Sequence, residues 1–350
     1  MDRRTFLKTA TAVPVLAGVS GRLSVEQPAA PKPAARPQKP KRLSPGDTVA
    51  LVGPASATFI RMELDVARES LEALGLKVIV AEHLLDRHGY LAGQDRDRAA
   101  DINRYFADSS IRGVLPIRGG WGTSRLLPYL DFDAIRRNPK VVLGFSDITA
   151  LVLPIYARAN VITFHGPNGM GRYDSWSVDY LKRVLFNAEA VTFENPHDKG
   201  DFLTQTENRT ETIVSGVARG RLLGGNLTVL TALLGSPYLP SWDGCILFLE
   251  DVHEDIYRID RMLTSLKLAG ALEKIRGFVF GTCDKCEPGE GYGSLTLEEV
   301  LDDHVRPLNV PSWLGAMIGH ETPQFTLPVG GEVEIDATKA TIRMLEPAVL

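Results

Sequence analysis

Four short apolar runs, each followed by a segment of helical periodicity, constrain this chain more than any other feature. Residues 48–53 (T-V-A-L-V-G), 77–81, 113–117 and 141–144 read as buried strands. Residues 59–74, closed by Gly75, and 95–106 carry the apolar spacing of amphipathic helices. Strands alternating with helices of about ten to sixteen residues imply right-handed crossovers and a largely parallel sheet. Ligands of such sheets bind beyond the carboxyl ends of the strands. Arg118-Gly119-Gly120-Trp121-Gly122 and Phe145-Ser146-Asp147 fall there. Residues 161–168 (V-I-T-F-H-G-P-N) read as the last strand of this half, with His165 just past its end, and a helix follows over 177–186.

The polar, aperiodic stretch 196–212 reads as a linker between an N-terminal domain over 42–195 and a C-terminal domain over 213–350. The second half predicts strands over 214–222, 246–249, 277–281 and 313–318, with a turn at Gly224-Gly225-Asn226. Helices are expected over 227–234, 256–268 and 297–304, and a closing hairpin over 332–335 and 340–344. The expected fold is therefore α/β, a mostly parallel N-terminal sheet followed by a β-rich, α+β or barrel-like C-terminal domain. At 350 residues with 44% hydrophobic and 23% charged, the chain has material for two cores.

A net charge of −4 supplies no global basic field for nucleic acid, and no apolar run beyond the leader is long enough to span a bilayer. The leader, residues 1–26, pairs Arg3-Arg4 with a short apolar h-region and resembles a twin-arginine export signal. The expected location is the periplasm or cell envelope. Residues 27–41 are a proline, alanine and lysine tether.

Nucleophilic catalysis needs a hydroxyl, a base within reach and a group that orients the base. In V-V-L-G-F-S-D-I (141–148) a buried run ends at a glycine and delivers Ser146 to the start of a helix over 149–158, where free amides favour an oxyanion. Serine is equally a common helix cap. Glu250 ends the L-F-L-E strand, and His320 follows the strand ending in Ile318-Gly319. With seven histidines and 43 carboxylates, residue types alone do not choose among partners. His165 competes with His320, and Asp251 or Glu254 with Glu250.

Other chemistries lack their motifs. No glycine run fits the dinucleotide or phosphate-loop pattern, and His253-Glu254 lacks the second histidine of a zincin, so neither a cofactor nor a metal is expected. Cys283-Asp284-Lys285-Cys286 is a lone C-x-x-C, open to a metal or redox role or to a simple loop disulfide.

Six blocks occur in order: R-G-G-W-G-T-S-R-L-L-P-Y-L-D (118–131), G-F-S-D (144–147), F-H-G-P (164–167), L-L-G-G-N-L (222–227), L-F-L-E-D-V-H-E-D-I-Y-R-I-D-R-M-L (247–263) and G-H-E-T-P-Q-F-T-L-P-V-G (319–330). Together they resemble the LD-carboxypeptidase family of serine peptidases, the muramoyltetrapeptide carboxypeptidases, from about Arg42 to the C-terminus. The resemblance implies a flavodoxin-like N-terminal domain and a β-rich C-terminal domain with the site between them. It implies Ser146 as nucleophile, His320 as general base, Glu250 as the residue orienting it, and backbone N–H groups of Gly120 and Asp147 as oxyanion donors. The implied reaction cuts terminal D-alanine from murein tetrapeptide, making muropeptides the partners and leaving a homodimer open. Arg118 and Arg125 are candidates for receiving the terminal carboxylate, with Trp121 and His165 as further binding candidates. Trp121 and Gln324-Phe325 depart from the family's usual pattern, as does the leader. Two other functions are carried forward: a self-immunity hydrolase of aminoacyl or peptidyl nucleotides, and a non-catalytic wall-peptide binder.

Overall fold

A run of Val, Ala and Leu makes β1 (Thr48–Val52) inaccessible from its second residue onward, as expected of a parallel strand covered on both faces. The computed structural model describes residues 36–289 and 293–350. The expected leader and the tether up to residue 35 lie outside the described residues. β1 pairs in parallel with β2 (Lys77–Val80) and β3 (Ile111–Pro116), and β3 with β4 (Val141–Val142). Helices α1 (Arg61–Ala73) and α2 (Asp95–Ala107) link these strands, as the periodicity predicts. A parallel bridge from Leu143 to Phe164 sets β5 (Thr163–His165) beside β4. The resulting order 2-1-3-4-5 is that of a flavodoxin-like sheet. The remaining helices are α3 (Phe132–Arg137), α4 (Thr149–Ala159), α5 (Ser175–Leu185), α6 (Leu227–Thr231), α7 (Ile256–Leu268) and α8 (Leu297–Val305).

The rest of the chain forms β6 (Thr192–Phe193), β7 (Glu211–Val214), β8 (Val217–Asn226), β9 (Ile246–Val252), β10 (Gly277–Asp284), β11 (Ser312–Leu314), β12 (Leu327–Val329), β13 (Glu332–Asp336) and β14 (Thr341–Met344). Eight of these make one mixed sheet in the order β6-β14-β13-β8-β9-β10-β11-β7. Its centre, β8 to β11, is parallel, so the carboxyl ends of three strands bring Asn226, Glu250 and Asp284 to one edge. β12 leaves this sheet and pairs antiparallel with β5, giving the first half a strand from the end of the chain.

Three local expectations change. β8 continues through Gly224-Gly225-Asn226 instead of turning there. A Cβ on Gly225 would lie 2.5 Å from Thr149 Oγ1, and one on Gly224 would collide with the Phe248 carbonyl, so these glycines serve close approach within a strand. The strand expected to lead to His320 stops at Leu314, which leaves the histidine on a loop. The tether is also held earlier than its composition implies. Gln38 N–H donates to the Asn160 carbonyl (2.7 Å), Leu350 N–H to the Pro40 carbonyl (2.9 Å), and Lys39 pairs with Glu346 (3.1 Å).

Candidate active site

Ser146 follows β4 across Gly144-Phe145 and takes φ +62°, a left-handed backbone that costs a non-glycine residue about 1–2 kcal/mol. A strained elbow holding a half-buried hydroxyl at the mouth of a helix makes Ser146 a candidate functional position. The loop after β3 closes on it. A Cβ on Gly119 would stand 3.0 Å from Ser146 Cβ, 3.2 Å from its Oγ and 3.3 Å from the Asp147 amide nitrogen. The Asp147 carboxylate, pushed up in pKa by burial, accepts from Thr123 N–H at 2.8 Å. Trp121 N–H donates to Ser56 Oγ (3.0 Å), and buried Arg98 donates to the Gly122 carbonyl (3.2 Å). Gly119 and the Asp147 amide thus lie close to Ser146.

Glu250, fully buried at the end of β9, meets His320, whose Nδ1 lies 2.9 Å from Oε2. Gly319 permits this approach: at φ +133°, a Cβ there would be 2.6 Å from Thr282 Oγ1 and 3.2 Å from Glu250 Oε2. The Gln324 amide anchors the loop by donating to the Gly319 carbonyl at 2.9 Å. Burial opposes charge on His320, but the hydrogen bond and charge of Glu250, helped by Asp251 and Asp284, override it and raise its pKa above the ordinary 6.5. The His320 ring packs edge-on to Phe145, the residue before Ser146, with centroids 4.9 Å apart. No direct hydrogen bond joins Ser146 to His320 among the described residues.

The competing carboxylates are otherwise engaged. Asp251, lifted to a pKa of about 6 by burial, accepts from Asn226 Nδ2 (3.1 Å) and from Thr228 N–H and Oγ1 (both 2.9 Å). Asn226 N–H in turn donates to Thr149 Oγ1 at 3.0 Å, tying the end of β8 to the helix behind Ser146. Glu254 pairs with Arg258 at 3.4 Å. His165 is 2% exposed.

A cleft of about 680 Å³ opens over His320 and Phe145. Its wall includes Arg172, Lys285, Glu207 and Glu321. Arg118 instead pairs with Glu63 (3.6 Å), and Arg125 with Asp95 (2.9 Å); Trp121 is 43% exposed. Arg172 gave no signal in the sequence, because it stands in an aperiodic glycine-rich segment after β5. Cys283 and Cys286 are joined by a disulfide beside Asp284. Among the described residues, no group of three or more His, Cys, Asp or Glu is placed to hold a metal ion.

The family model for the LD-carboxypeptidase N-terminal domain matches residues 49–166, and that for the C-terminal domain matches residues 219–335. The chain belongs to the LD-carboxypeptidase family. It is a serine-type peptide hydrolase by that membership. A Bacillus subtilis (strain 168) protein named "probable murein peptide carboxypeptidase" is 37% identical over 305 residues, 87% of this chain and 93% of that one. The crystal structure of muramoyltetrapeptide carboxypeptidase from Oxalobacter formigenes superposes with TM-score 0.70 at 26% identity, covering 85% of this chain and 97% of that one. The microcin C7 self-immunity protein MccF of Escherichia coli, solved with aspartyl sulfamoyl adenosine, superposes with TM-score 0.81 at 26% identity, covering 90% of this chain and 100% of that one.

Proposed function

We propose that this LD-carboxypeptidase family member releases the terminal D-alanine of murein tetrapeptide through an acyl-enzyme on Ser146. The observation that carries the proposal is the Glu250–His320 pair, 2.9 Å apart, set beside a strained serine elbow. Because Nδ1 is committed to Glu250, the free Nε2 is the atom that takes the Ser146 proton as Oγ attacks the LD-amide carbon. The oxyanion is held by backbone N–H groups of Gly120 and Asp147. Collapse breaks the C–N bond, and the amine of D-alanine leaves with the proton from Nε2. A water then gives its proton to Nε2, attacks the acyl carbon and frees Ser146. The serine and the imidazole come within bonding distance as substrate fills the cleft, since such contacts often tighten only in the complex. Arg172 is the cation on the cleft wall suited to the terminal carboxylate, whereas Lys285 pairs with Asp284 (3.9 Å) and Arg118 and Arg125 are likewise engaged with carboxylates.

Mass spectrometry of purified muropeptides tests this reading. Loss of one alanine from tetrapeptide is expected, and Ser146→Ala should lower turnover by ~10⁴ or more. The likeness to MccF favours a second substrate class, aminoacyl sulfamoyl nucleotides, and the same assay run on these separates the two. The Arg3-Arg4 leader supports export by the twin-arginine route to the cell envelope, where murein peptides lie. Fractionation with Arg3→Lys and Arg4→Lys together should strand the protein inside the cell.

A further inference from the structure

We infer that His165 is a positioning residue for the Glu250–His320 pair, acting on the second oxygen of Glu250 through one internal water molecule. The inference rests on the proposed acid–base role of that pair. Phe248 and Glu250 are two residues apart on β9, so their side chains leave the same face. The His165 ring stands edge-on to Phe248, centroids 5.2 Å apart, and therefore shares that face with the carboxylate. Phe145 closes the group from the other side, touching His165 (6.4 Å between centroids) and His320 (4.9 Å).

Within this enclosure Glu250 Oε2 belongs to His320. Glu250 Oε1 and both ring nitrogens of His165 are buried and meet no hydrogen-bond partner among the described residues. Three polar atoms left so would each carry a substantial desolvation penalty. A neutral imidazole offers one N–H and one lone pair, and a water can accept the first while donating to a carboxylate oxygen. Burial pushes the His165 pKa down to about 4, so across the range in which His320 titrates the ring is an uncharged donor. It can then hold the carboxylate without competing with the His320 cation. The other ionisable groups facing the pair are Asp251 on β9, Asp284 at the end of β10, and Arg172, Glu207, Lys285 and Glu321 on the cleft wall.

The test compares His165→Phe, which fills the space and removes the donor, with His165→Gln, which keeps one. The readout is the pH dependence of Ser146 labelling by a fluorophosphonate, which needs no peptide substrate. Without its donor, Glu250 pulls harder on the His320 proton, so the acid limb in His165→Phe should move up by about one pH unit. His165→Gln should return the limb towards wild type. A purely structural role would lower thermal stability and leave the limb in place, and that result overturns the inference. Wild-type crystals diffracting to about 1.2 Å give an independent reading that survives a misfolded variant. Ordered solvent within hydrogen-bond distance of both Glu250 Oε1 and a His165 nitrogen is expected, and a dry contact there overturns the link. Wild type that takes no label sinks the nucleophile assignment itself, whereas labelled wild type with an unmoved His165→Phe limb sinks the His165 link alone.

Discussion

Gly119→Ala probes the site without removing any group that takes part in the proposed chemistry. The added methyl would lie 3.0 Å from Ser146 Cβ, 3.2 Å from Oγ and 3.3 Å from the Asp147 amide nitrogen. Each is shorter than ordinary van der Waals contact, so the loop and the elbow must separate by several tenths of an ångström. Gly119 is absent from the positive-φ glycines, so alanine meets no backbone strain there. The fold should therefore survive while the nucleophile and the oxyanion amide move apart. Loss of one such donor typically lowers turnover by about 10²–10³, and misplacement of reacting groups by about 1 Å has an effect of similar size. We expect kcat/KM on murein tetrapeptide to fall by about 10², equivalent to about 2.7 kcal/mol of transition-state stabilisation. Fluorophosphonate labelling should slow in parallel while calorimetry registers a small change in Tm. Turnover and labelling within twofold of wild type would refute the placement of the 118–122 loop against Ser146.

Glu250→Gln removes the charge that overrides burial and raises the His320 pKa, so the acid limb of kcat/KM should move to lower pH, with the maximal rate falling by about 10⁴. A limb that rises or stays would contradict the pairing. At φ +62°, Ser146→Gly should unfold at higher denaturant than Ser146→Ala by about 1 kcal/mol, though both are inactive, and the reverse order in urea melts would show the elbow to be unstrained. Of three cysteines, Cys283 and Cys286 are paired and Cys245 is buried. Thiol titration of the oxidised protein should accordingly find none when native and one after unfolding without reductant. Reactive thiols in the native oxidised protein would exclude the disulfide.

Local patterning determined the first sheet. Burial and backbone preference are properties of near neighbours, so apolar runs at 48–53, 77–81 and 113–117 and the helices between them could be read directly, along with the hairpin of β13 and β14. The same patterning put Ser146 and Glu250 at strand ends, and six ordered blocks singled them out with His320. Contacts across long stretches of chain were decided only by tertiary structure. A glycine pair at 224 and 225 looks like a turn until Phe248 and Thr149 are seen pressed against it. Which carboxylate meets the imidazole depends on the register of β9 against a loop 70 residues later, and no local periodicity encodes that register. His165 looked like a ligand contact at the end of a strand, and only the packing of Phe145 and Phe248 around it reveals a buried neutral ring. Arg172 likewise became part of the cleft because an irregular segment folds towards His320, a placement set by distant packing.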